Sequence, residues 1–335
     1  MGVKKTAKMK QQLPSFLSFL FFWTLFFAIS SCSSCNAVEE EIAKIPVKVE
    51  LDRFDKKFFY ASKEDFFQLK QDYPYLFPEQ YPDSIWLKRQ RDSLQVILQN
   101  EINTVFPTLD PFEKQLKSLF KHIKYYFPRE KDPRVVLLTN NVDYQNKTVY
   151  TDSLVLISLD TFLGAKNPLY EGIPQYIVRD MDIDYFGAHL ADEFALTVVP
   201  APVDRTLLAQ MVYYGKRFYI KDLLLPNASD EIKISYTKEE MNWVKENERF
   251  IWQYFIEYEL LYKTQSSYLL RFIEPAPFSK FYLEIDNESP GKIGQWLGWQ
   301  FVRAYAEKHS DKTPQEILAT PAQELFAKAN YKPAK

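Results

Sequence analysis

The chain has 335 residues, a net charge of −2 and two cysteines, Cys32 and Cys35. A scattered acidic balance argues against nucleic-acid binding, which needs a clustered basic face, and the absence of cysteine beyond Cys35 excludes a structural disulfide in the body of the chain. With 27 Phe, 22 Tyr and 6 Trp, the fold must rest on an aromatic core, and its buried tyrosines must find hydroxyl partners.

The first segment carries Lys4, Lys5, Lys8 and Lys10 and no acid, followed by an apolar stretch from Leu13 to Ile29. The run Ala28-Ile29-Ser30-Ser31-Cys32 then places small residues directly before a cysteine. A positive head, an apolar middle and small residues before a cut site make an export signal, and the cysteine makes it a lipoprotein signal. Residues 1–31 are thus expected to be removed and Cys32 to carry palmitate-type acyl chains, each buried methylene adding ~0.8 kcal/mol of membrane affinity. An uncleaved anchor is the rival, but a spanning helix wants ~20 apolar residues, and Pro14, Ser15 and Ser18 dilute this one. Cys35 is the rival lipid site, but it lacks the upstream aliphatic that Ile29 gives Cys32. Removal of the four lysines leaves 304 residues with a net charge of −6, tethered in the cell envelope at the periplasmic face of the outer membrane or at the inner membrane.

Residues 32–44 are polar, with Glu39, Glu40 and Glu41, and read as a tether; 45–335 is expected to be a single globular domain. Its first part, 45–130, opens with an alternating strand over 45–54 and continues as helices. One spans 62–71, capped by Ser62; a proline-rich loop covers 73–82; a long helix follows over 83–105. Asp110-Pro111-Phe112-Glu113 opens the next, to about Tyr125. The second part, 131–335, begins with strands at 134–139, 147–150 and 153–159. Helical patterns then dominate: 173–186, 188–198, a helix capped by Asp204, 241–262 after the capping box Thr237–Glu240, 290–308, and two short helices opened by Thr313-Pro314 and Thr320-Pro321. The fold class is therefore α+β, mostly helical, with a small sheet near 134–159 followed by a helical C-terminal region.

No Gly-x-Ser-x-Gly, phosphate loop, Gly-x-Gly-x-x-Gly or His-Glu-x-x-His motif occurs. A cluster at Asp180, Asp182, Asp184, His189, Asp192 and Glu193 puts His189 and Glu193 one helical turn apart. Three or four ligands in fixed geometry are needed for zinc, so a solvated polar face with an i,i+4 pair is favoured over a metal site at His189 and Glu193. No metal and no cofactor is expected. The run 275–299 concentrates Gly291, Gly294 and Gly298, although glycine is scarce. In a helix each costs about 1 kcal/mol against alanine, so close approach of another group is implied. Gly294 and Gly298, flanked by Trp296 and Trp299 and preceded by Phe281 and Tyr282, form a candidate partner groove. Glu284, Asp286 and Glu288 precede that helix, as caps or groove lining rather than catalytic acids; no catalytic residue is assigned.

The block Pro277–Gly291, followed by Ile293-Gly294 and Gly298-Trp299, resembles the gliding-motility lipoprotein family GldB of Bacteroidetes. So do Leu119–Pro128, Gln210–Lys216, Tyr219–Asn227 and the Cys32 lipobox. The resemblance implies a lipid-anchored component of the gliding machinery, with other gliding-motility envelope proteins as partners and no established enzymatic activity. The order of elements also resembles zincin-type zinc peptidases at the level of fold. In those, one helix carries His-Glu-x-x-His and a later one a Glu before a Gly. Here the corresponding stretches read His189-Leu190-Ala191-Asp192-Glu193 and Tyr214-Gly215, so ligands and general base are missing. A non-enzymatic scaffold on a degenerate zincin-like frame, a pseudoenzyme, is the leading expectation; a divergent zinc metallopeptidase is the alternative.

Overall fold

A computed structural model describes residues 37–282 and 284–333, with only the backbone of Glu284 and Ile285. The expected signal peptide, Cys32 and Cys35 lie outside the described residues. The chain divides at Pro46–Val47 into two compact units. In the first, 37–43 form a helix, α1, where a plain tether was expected.

The second unit is mostly helical around one four-stranded sheet. Its strands are β1 (Leu51–Arg53), β2 (Arg134–Leu138), β3 (Thr148–Tyr150) and β4 (Leu154–Ser158), in the order β1-β2-β4-β3. β2 runs parallel to both β1 and β4, with Val135 opposite Leu51 and Val155, and β3 closes an antiparallel hairpin on β4. The period-2 geometry of β2 divides its side chains between two cores. Val135 and Leu137 face a large core with Phe112, Phe162, Phe186 and Phe194, whereas Val136 faces an aromatic cluster of Phe54, Phe58, Phe66, Tyr73 and Phe77. A strand buried on both faces reads as the unbroken apolar run seen here. Of the expected 45–54 strand only three residues pair. Phe54–Tyr60 instead folds as α2, which puts Phe54 and Phe58 one turn apart in the aromatic cluster.

Caps decide the helix boundaries. Ser62 and Asp65 exchange hydrogen bonds in a capping box that starts α3 (Lys63–Asp72). The expected 83–105 helix is two, α4 (Asp83–Gln90) and α5 (Ser93–Val105), because the Asp92 carboxylate accepts the Leu94 amide at 2.8 Å and begins a new N-terminus. Along α5, Leu94 and Ile97 are exposed, while Leu98 and Ile102 are buried with Gln95 and Gln99. α6 (Asp110–Tyr126) lies where the Asp-Pro start placed it. The expected pair 173–186 and 188–198 is replaced by a short α7 (Gln175–Val178) and a continuous α8 (Ile183–Val198), capped by Asp182. Gly187 therefore lies inside α8, its amide donating to the Gln115 side chain at 3.0 Å.

α9 (Leu207–Leu224) starts from Thr206 rather than Asp204. After α10 (Asp230–Ile234), the expected 241–262 helix divides into α11 (Lys238–Glu246) and α12 (Glu248–Glu257). α13 (Ser266–Phe272), α14 (Ile293–Lys308), α15 (Pro314–Ala319) and α16 (Ala322–Ala329) complete the chain. These helices enclose a further core around Met211, Phe218, Phe255, Phe272, Trp299 and Phe301. Among the described residues no helix is long and apolar enough to cross a membrane.

Candidate functional site

The residues expected to line a groove around α14 are mostly interior. Gly298 lies against the Met211 carbonyl of α9 and Gly215 against the Gly298 carbonyl, so a Cβ at either position would overlap backbone. A Cβ at Gly294 would lie 2.9 Å from the Phe272 carbonyl oxygen. The close approach implied by the glycines is real, but its occupant is this chain's own α9 and α13. Trp299 and Phe281 are fully buried and Trp296 nearly so. Trp299 stacks on Phe218 and donates its indole N–H to Asp222 at 2.8 Å. Tyr282 alone of the set faces solvent, with Arg271 stacked over its ring. The Asp286 carboxylate accepts the amides of Phe281 and Tyr282, both at 2.9 Å, and so shapes this loop.

The His189–Glu193 helix also resolves into structural pairs. His189 Nε2 lies 3.1 Å from the Asp180 carbonyl and 3.4 Å from its carboxylate. Asp192 takes a forked ion pair from Arg217 and lies 3.5 Å from Lys221. Among the described residues no group of three or more His, Cys, Asp or Glu is placed to hold a metal. Glu193 is half-buried, and burial followed by repulsion from Asp192 pushes its carboxyl up to about 7. Tyr214 and Gly215 sit within α9, which packs against α8.

A cleft of about 540 Å³ opens where four loop segments meet the starts of helices. The turn before β3 supplies Tyr144 and Lys147, the α7–α8 stretch Tyr176, Arg179 and Asp180, and the α10–α11 connection Tyr236 and Glu240. Ala276, Gly291 and Lys292 come from the segments flanking the 277–290 loop. These segments are held by specific geometry. Gly291 packs on the Ala276 carbonyl with no room for a side chain, and Tyr236 donates to the Gly291 carbonyl at 2.5 Å. Lys292 then adopts φ +60°, a left-handed conformation unusual for a non-glycine residue.

The charges of the cleft are arranged in pairs. Lys147 donates to Asp180 at 2.6 Å. Burial alone would raise the Asp180 carboxyl, but His189 and Lys147 outweigh it and hold it far below the usual carboxylate range. Arg179 pairs with Glu240, the acid that also completes the α11 capping box. Lys292 donates to the Ile234 carbonyl and lies 5.6 Å from the centre of the Tyr236 ring, with no carboxylate partner among the described residues. Burial pulls its ammonium down to about 8. Of these residues, Asp180 belonged to the acidic cluster visible in sequence and Gly291 to the unexplained glycines. Arg179 and Lys292 escaped notice, and Glu240 was legible only as a helix cap, because the three lie far apart in the chain and share no motif. The only local hint was a Gly-Lys pair directly before the α14 pattern.

No curated protein and no solved structure matches the chain. The family model described as gliding motility protein GldB matches residues 35–333, and the chain belongs to that family.

Proposed function

We propose that this gliding-motility component is a lipid-anchored scaffold of the cell envelope that binds partner proteins and performs no catalysis. Family membership over 35–333 supplies the biological setting; the lipobox at Cys32 supplies the anchor.

The observation that carries the binding role is the pairing of charges in the cleft. A general base works best with a pKa near the operating pH, yet the ionised Asp180 is held far below that by His189 and Lys147. Arg179 is committed to Glu240 in the same way. Glu193, whose pKa of about 7 would suit acid–base work, does not line the cleft. A cleft of fixed charge pairs and tyrosines favours recognition over bond making. The partner surface is accordingly assigned to this cleft, with exposed Tyr282 as an outlying contact, rather than to the interior of α14.

A photocrosslinking residue at Tyr176, in intact cells, tests this role. Recovery of other gliding-motility envelope proteins is expected; recovery of nothing beyond a control site at Tyr262 overturns it.

A further inference from the structure

We propose that the cleft is a carboxylate-binding site whose occupant is the free C-terminus of a peptide chain, seated on the Lys292 ammonium. This rests on the partner-binding reading and names the chemistry of what is bound.

Charge selects the class of ligand. Three cations, Lys147, Arg179 and Lys292, and two carboxylates, Asp180 and Glu240, line the cleft. Lys147 and Arg179 are matched by their ion pairs, and His189 stands behind Asp180. Among the described residues Lys292 makes no ion pair of its own, so the side chains lining the cleft carry one more cation than carboxylate, with Asp180 and Glu240 acting on Lys292 only at longer range. An ammonium carries three donors, and the single Ile234 carbonyl uses one of them. A monoanion therefore balances the cleft, whereas a phosphate dianion would leave an unmatched negative charge in a partly desolvated site. Carboxylate is the matching class.

The site is also preorganised. Gly291 packed on Ala276 and the Tyr236–Gly291 hydrogen bond hold the Lys292 backbone in its left-handed conformation, and the Ile234 carbonyl holds its ammonium. A charge held in place loses little freedom when a ligand arrives. Around it, Tyr144, Tyr176, Ile177 and Pro275 offer apolar area for the last side chains of a segment. The volume lies in the range of small-ligand pockets, about 300–1,000 Å³, so the cleft admits the end of a chain and not a domain surface. Capture of a chain terminus is a known mode of peptide recognition.

The test uses the full chain in detergent micelles and reads the rate of Lys292 acylation by an N-hydroxysuccinimide ester at pH 8, with exposed Lys48 as internal reference. Four additions are compared: random-sequence N-acetylated tripeptides with free C-termini, the same tripeptides as C-terminal amides, sodium acetate, and inorganic phosphate. Expected is at least tenfold slower labelling of Lys292 with the free acids and less than a twofold effect from the others. Protection by acetate equal to that by the peptide acids overturns the peptide assignment. Protection by the amides equal to that by the acids, better protection by phosphate, or no protection by anything overturns the carboxylate site. Lys292→Met should lower retention of the peptide acids at least tenfold and Lys292→Arg preserve it; the labelling experiment stands even if a variant misfolds. Crosslinked neighbours at Tyr176 without protection would leave the scaffold role intact and remove only this inference. Protection without neighbours would do the reverse.

Discussion

At the residue scale, burial and pairing set the chemistry of single side chains more than their type does. Glu193 and Asp180 lie near the same helix and move in opposite directions. Asp180 has His189 and Lys147 beside it and stays ionised; Glu193 has burial and the like charge of Asp192. The folded-state pKa of Glu193 is raised from 4.5 to about 7, so the protein loses stability as pH climbs through that window, and the loss is complete above it. Glu193→Gln should therefore stabilise the protein at pH 8 by about 1–3 kcal/mol, the upper end reduced by partial exposure, and change little below pH 4.5. Urea unfolding at the two pH values measures the difference. For Asp180 the sign is opposite. Its contribution is present above the ordinary carboxylate pKa of 3.8 and is lost as pH falls through its lower folded value. Asp180→Asn leaves buried Lys147 without its counter-charge and should cost about 3–5 kcal/mol at pH 7, with the difference from wild type shrinking in acid. An unchanged urea midpoint at pH 7 would refute the role given to this pair.

At the element scale, periodicity and caps located most helices, and local hydrogen bonds decided where they break. The Asp-Pro start of α6, the Ser62 cap of α3, the capping box of α11, the Thr-Pro start of α15, and the β2–β4 strands were legible because each depends on residues a few positions apart. The Asp92 break was missed because the apolar pattern runs through it. The glycines of α14 were read as making room, correctly, but the sequence names no occupant. Their role yields a clear expectation: Gly298→Ala would drive a methyl into the Met211 carbonyl. Overpacking of this kind costs about 1–3 kcal/mol and sometimes more, so a lower urea midpoint is expected. A groove open to a partner would accept the methyl with stability unchanged.

At the scale of the whole molecule, the proposed function joins attachment to recognition. Cys32→Ser should be exported yet released from the membrane, should fold, and should fail to support gliding. Soluble protein that restores motility would make the anchor incidental. Measuring spreading of colonies alongside membrane fractionation separates loss of anchoring from loss of protein.

The sequence by itself determined what short-range patterns encode: the strands of the small sheet, most helices, and the family to which the chain belongs. Only the tertiary structure decided what fills the space beside Gly294 and Gly298, that Trp296 and Trp299 are core, and that Lys147, Asp180, Glu240 and Lys292 share one cleft. The physical reason is range. Caps and periodicities act between residues within a few turns, whereas burial, charge compensation and cavity shape arise from segments more than a hundred residues apart, such as Lys147 and Lys292, which become neighbours only after the chain has packed.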